Sequence, residues 1–131
     1  MNLVLDTSAY VGFARGHEPV VAALARKGTT LWIPAVVLGE LRYGFLKGTR
    51  AAWNEEKLGQ VMKELDIRVI DVDEDVTRKY AVVYLSLEKK GTKIPVNDVW
   101  IAASCLSMGG TLLTSDRHFE AVETLDLMLF E

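Results

Sequence analysis

Five short apolar runs, each too brief for a helix, alternate with longer stretches of helical spacing. The runs are Leu3–Leu5, Thr30–Ile33, Ile67–Ile70, Thr111–Leu113 and Leu127–Phe130. Helical patterns fill Ser8–Phe13, Glu18–Arg26, Pro34–Lys47, Ala51–Leu65, Glu74–Lys89 and Asn97–Met108. This alternation predicts an α/β fold, a central parallel sheet of about five strands flanked by helices on both faces. Pro34 suits a first helical position, Gly28 and Gly109-Gly110 suit helix exits, and Asn97 suits an N-cap. A chain of 131 residues without repeat, low-complexity tract or linker reads as one domain over residues 1–131.

A parallel sheet also predicts where chemistry happens: beyond the carboxyl ends of the strands, where the strand order reverses. Four carboxylates fall at or near such places. Asp6 closes Leu3-Val4-Leu5, and Asp116 follows Thr111-Leu112-Leu113-Thr114. Glu40 interrupts Ala35-Val36-Val37-Leu38-Gly39 and Leu41, about two turns into the helix after the second strand; Asp98 heads Val99-Trp100-Ile101-Ala102-Ala103. Burying a carboxylate alone is costly, and the relief is neutralisation, an ion pair or a metal. If the first and fourth strands are neighbours, Asp6 and Asp116 share one end of the sheet, and the two helix acids could reach over it. Converged, the four would form an oxygen cage for a hard divalent cation.

Each acid also has a plainer reading. The helical neighbours of Glu40 are Val36, Val37, Tyr43 and Gly44, so its partner would have to be remote, such as Arg15 or Arg78. Asp98 would favour a helix dipole without any ligand. Asp6 could cap the next helix, although Thr7 or Ser8 could serve instead, and Asp116 could cap a turn through His118-Phe119. The set carries more weight than any member.

The formal charge of −3 argues weakly against a nucleic-acid partner, but setting these four acids aside turns it into +1. No apolar run is long enough to span a membrane, and the N-terminus lacks the pattern of a secretory signal. The single Cys105 cannot form an internal disulfide; a reducing cytoplasm and a place in the core are expected.

Four segments carry a resemblance: Leu5-Asp6-Thr7-Ser8, Gly39-Glu40-Leu41-Arg42-Tyr43-Gly44, Asn97-Asp98-Val99-Trp100-Ile101-Ala102-Ala103 and Leu113-Thr114-Ser115-Asp116-Arg117-His118-Phe119. In order and across the whole chain, they resemble the PIN-domain nucleases, and more narrowly the VapC-type toxins of toxin–antitoxin pairs. The resemblance implies a PIN-like fold and a magnesium- or manganese-dependent endoribonuclease. It also implies inhibition by a cognate VapB-like antitoxin, and a homodimer or a heteromeric complex with that antitoxin. By position, Asp6, Glu40, Asp98 and Asp116 match the family's acidic quartet, with Thr7, Ser8 and Ser115 as supporting polar residues. Arg15, Arg42 and Arg117 are candidate contacts for RNA or antitoxin. Related domains also serve in RNA processing outside such pairs, or as idle scaffolds that bind a partner.

Carboxylate oxygens suit Mg²⁺ or Mn²⁺; a tetrahedral zinc site would call for more than His17, His118 and Cys105. The expected arrangement holds the cation chiefly by Asp6, Asp98 and Asp116, with Glu40 binding a second ion or orienting a water, and leaves 5′-phosphate ends. A metal-free mechanism through His17 and His118 is the rival enzyme. A signalling receiver domain fails, because only Asp6 follows the first strand and no lysine occurs after Lys93. Asp71-Val72-Asp73-Glu74-Asp75 begins like a calcium loop, yet Val76 replaces its glycine and Val82 its closing glutamate, so it reads as an acidic helix start. No phosphate-binding glycine loop occurs.

Overall fold

Parallel pairing joins all five strands in the computed structural model, which describes residues 1–131. In chain order the elements are β1 (Asn2–Leu5), α1 (Thr7–Ala14), α2 (Glu18–Leu24), β2 (Thr30–Pro34), α3 (Ala35–Lys47), α4 (Ala51–Glu64) and β3 (Arg68–Ile70). There follow α5 (Glu74–Lys90), α6 (Val96–Ser107), β4 (Thr111–Thr114), a 3-10 turn (Arg117–Ala121) and β5 (Asp126–Leu129). The strand order is β3-β2-β1-β4-β5.

The central strands show why the apolar runs are continuous rather than alternating. Leu3, Val4 and Leu5 are all buried, as are Leu112 and Leu113 beside them, because helices cover the sheet. With right-handed crossovers, the connections from β1 through β3 lie on one face and the return from β3 to β4 on the other. The chain therefore leaves β1 toward β2 and leaves β4 toward β5, in opposite directions from adjacent strands. That is the topological switch point, and its crevice opens after Leu5 and Thr114.

Two glycines let β4 lie against β1. Gly109 leaves α6 with φ +63°, a left-handed exit that suits glycine. A Cβ on Gly110 would stand 2.7 Å from Val4 Cγ2, so any larger residue would push the strands apart.

Two local expectations are corrected and others hold. Pro34 closes β2 and caps α3 instead of opening the helix; its φ of −63° suits both roles. Asn97 is not the N-cap of α6: Pro95 is, and Asn97 lies inside the first turn with its side chain free for another bond. Asp6, not Thr7 or Ser8, caps α1, accepting from Ala9 N at 2.9 Å. Asp73 caps α5, with Glu74 and Asp75 in its first turn, so the calcium-like segment is a helix start. Cys105 is buried, and burial pushes its thiol up to about 12, which makes it inert packing.

Candidate metal centre

The site grows from the ends of the two central strands. Asp6 follows β1, and the register Leu5↔Leu113 sets it opposite Thr114, the last residue of β4. Thr114 is fully buried and donates its hydroxyl to Asp6 Oδ2. The same hydroxyl oxygen accepts from Asp116 N at 2.9 Å, so one side chain ties two acids together. On the other carboxylate oxygen, Ser8 Oγ donates to Asp6 Oδ1 at 2.6 Å and accepts from Ser115 N at 3.1 Å. Asp6 is 4% exposed, and its burial raises its pKa above the usual carboxylate value despite these donors.

The helices bring the other two acids. Glu40, on α3, accepts from Thr7 Oγ1 at 2.7 Å and from Asn97 Nδ2 at 3.3 Å. These bonds anchor α3 to the first turns of α1 and α6. Neither Arg15 nor Arg78 pairs with it; Arg78 reaches Glu74 instead. Asp98, in the first turn of α6, keeps only 13% of its side chain exposed. Burial first, then the negative charges of Asp116 and Glu40, raise its carboxyl to about 6. Asp116 likewise acts on Asp6 through its charge. The four acids thus occupy one electrostatic neighbourhood.

No lysine or arginine pairs with any of them. The one cationic candidate is His118, whose Nδ1 lies 3.1 Å from Asp116 Oδ1 and 3.5 Å from Asp98 Oδ2. Asp98, Asp116 and His118 each offer a ligand atom within 4.8 Å of the others, a grouping that could hold a metal ion. Mutual repulsion among carboxylates without a compensating Lys or Arg is what a divalent cation relieves.

Not every candidate residue faces this centre. Arg42 is held by Glu55 through Nε and Nη2, both at 3.0 Å, and Arg117 by Glu120 at 2.6 Å. Arg15 is exposed and makes no ion pair. His118 stands between two acids, while His17 lies against the Phe130 ring, so the two histidines sit in different surroundings. Sequence reasoning missed Thr114, Asn97 and the engagement of His118. Strand register would have flagged Thr114, a hydroxyl at the end of a buried run directly across from Asp6.

Comparisons with known proteins identify the family and the fold. The family profile described as PIN domain matches residues 3–125. Ribonuclease VapC5 of Mycobacterium tuberculosis is 31% identical over 121 residues, covering 92% of this chain and 87% of that one. Ribonuclease VapC2 of Rickettsia felis is 33% identical over 131 residues, covering 97% and 96%. Among solved structures, VapBC2 from Rickettsia felis bound to a DNA fragment from its promoter superposes with TM-score 0.90. It is 28% identical and covers all of both chains. The superposition over the whole chain shows that the five-stranded parallel sheet with its helices is the fold that structure shares with the present one. The chain belongs to the PIN domain family.

Proposed function

We propose that this protein is a divalent-cation-dependent endoribonuclease, the toxin of a type II toxin–antitoxin pair. The observation that carries this reading is Asp98 and Asp116, with His118, within ligand reach of one another, and Asp6 and Glu40 close enough for their charges to be felt in the same cluster, with no lysine or arginine to neutralise them. The VapC ribonuclease names of the relatives support the substrate class.

Asp6, Asp98 and Asp116 would hold the ion, with Glu40 as a fourth carboxylate or as the orienting group for a water. Bound Mg²⁺ or Mn²⁺ supplies Lewis-acid activation of water and neutralises charge at the phosphate. The chain's own residues do the positioning. Ser8, Ala9 N and Thr114 fix both oxygens of Asp6, and Thr7 and Asn97 fix both oxygens of Glu40. Removing a proton from Asp98, which holds it up to about pH 6, completes the anionic cage.

The reading extends to partners. Exposed Trp53 on α4 lines a small cleft with Tyr10, Val11 and Phe45. This is the face on which a VapB-like antitoxin would lay an apolar segment and present a basic side chain to the acids. A second copy of the chain would cover an apolar patch such as Val82 and Leu85, three residues apart on α5 and both exposed. No helix is long and apolar enough to cross a membrane, and the cytoplasm is where such a ribonuclease would meet its RNA.

The test is cleavage of RNA with Mg²⁺ and analysis of the ends. The expected result is 5′-phosphate and 3′-hydroxyl products, loss of cleavage with chelator, and loss in Asp6→Asn and Asp98→Asn. Products ending in 2′,3′-cyclic phosphate, or activity that survives chelation, would refute the mechanism.

A further inference from the structure

One imidazole stands among the carboxylates of the acid centre. His118 Nδ1 lies 3.1 Å from Asp116 Oδ1 and 3.5 Å from Asp98 Oδ2. Donors at neighbouring corners of an octahedron with bonds of about 2.1 Å stand about 3 Å apart, so these spacings are close to those of ligands sharing one ion. Asp98, Asp116 and His118 each place a donor atom within 4.8 Å of the other two.

The chain fixes this ring from both sides. His118 lies in the 3-10 turn Arg117–Ala121, which Asp116 caps by accepting from His118 N at 2.9 Å. Asp116 N is held in turn by Thr114 Oγ1, also at 2.9 Å. On the other side Phe119 is fully buried in the core. The ring itself is not packed away, since 58% of the His118 side chain is exposed. Its backbone is therefore anchored while its nitrogen faces the acids, the preorganisation that a metal ligand requires. Solvent access on the same side leaves room for water at an ion held there.

The donor set then chooses between ions. Mg²⁺ takes oxygen ligands and gives up its waters reluctantly, whereas imidazole is a ligand of transition metals. Carboxylates suit Mn²⁺ as they suit Mg²⁺, and Mn²⁺ also belongs to the first-row series that accepts nitrogen. Two carboxylates with an imidazole thus separate two ions that carboxylates alone would treat alike.

We infer that His118 is a direct metal ligand through Nδ1, beside Asp98 and Asp116, and that it gives this centre a preference for Mn²⁺ over Mg²⁺. The ring binds as neutral imidazole, with its proton on Nε2. The inference rests on the cation-dependent reading of the acids and adds to it the residue that selects the ion.

The experiment loads the full chain with Mn²⁺ alone, without RNA, and records pulsed electron paramagnetic resonance of the bound ion. The native protein should show the nitrogen coupling of a coordinated imidazole, and His118→Asn should lose that coupling while still binding Mn²⁺. Calorimetry with each ion measures the selectivity, and the native protein should hold Mn²⁺ more tightly than Mg²⁺. In His118→Asn the Mn²⁺ affinity should fall at least about tenfold, because even residues that only orient a ligand are worth that much. Mg²⁺ affinity should change little. Bound Mn²⁺ without imidazole coupling in the native protein would overturn the inference and leave the carboxylate site standing; that outcome needs no variant to fold. Coupling that persists in His118→Asn would overturn it too. So would an equal fall for both ions, since the ring would then only order the acids. Failure of the native protein to bind either ion would instead refute the parent reading, and the inference with it.

Discussion

Thr7 Oγ1 donates to Glu40 Oε1 at 2.7 Å, joining the first turn of α1 to the middle of α3 across 33 residues of sequence. This bond and the one from Asn97 keep Glu40 aimed at the strand ends rather than into solvent. Replacing Thr7 by Val removes the donor at nearly constant volume. Partners that orient a metal-binding carboxylate are worth about 10- to 100-fold in affinity or activity. We expect Mg²⁺-dependent cleavage to fall about tenfold with little change in melting temperature, measured on the same preparation.

Thr114 has a different job, because it serves two acids at once. In Thr114→Val, Asp6 Oδ2 loses its donor and Asp116 N its acceptor, both beside a buried position. Leaving such groups unsatisfied costs about 1–3 kcal/mol. Thermal denaturation should therefore show a clear fall in Tm. Added Mg²⁺ should recover part of it, since a cation also compensates the Asp6 carboxylate.

Stability should respond to pH in a direction opposite to that of an ordinary ion-paired acid. The Asp98 carboxyl stands at about 6 in the fold against 3.8 when unperturbed, and Asp6 is shifted the same way. A raised carboxyl favours the protonated fold, so without cation its contribution is fullest below about pH 4 and is lost between about 4 and 6. Melting temperature in chelator should decline across that window, and Asp98→Asn should flatten the decline.

Cation binding should show the mirror image. Because the ion displaces a proton from Asp98, Mg²⁺ affinity should climb with pH up to about 6 and level off above it. Calorimetry in buffers of different ionisation enthalpy would detect the released proton below that point and its absence above.

The sheet was legible because buried parallel strands leave continuous apolar runs; Leu3–Leu5 and Thr111–Leu113 fall inside the observed β1 and β4. The acids stood out in the sequence for the opposite reason, since Asp6 closes and Glu40 interrupts a run that packing alone would have kept apolar. What could not be read was which of several equivalent groups does a given job. Asp6, Thr7 and Ser8 can all cap a helix, and only the turn geometry selects Asp6 and releases Thr7 for Glu40. Asn97 reads as a cap by type, yet Pro95 takes that place and Asn97 becomes a tether for Glu40. Arg42 sits beside Glu40 in sequence, but its helical position gives it to Glu55 on α4. Such assignments depend on register and pairing between distant elements, which local pattern does not carry.

The central claim is that carboxylates from four separate elements grip one cation locality at the switch point. Anomalous diffraction from crystals soaked in Mn²⁺ tests it most directly. The account predicts a manganese peak within coordination distance of Asp6, Asp98 and Asp116, absent from Asp98→Asn crystals. A fully loaded ion bound elsewhere, with these acids left bare, would contradict it.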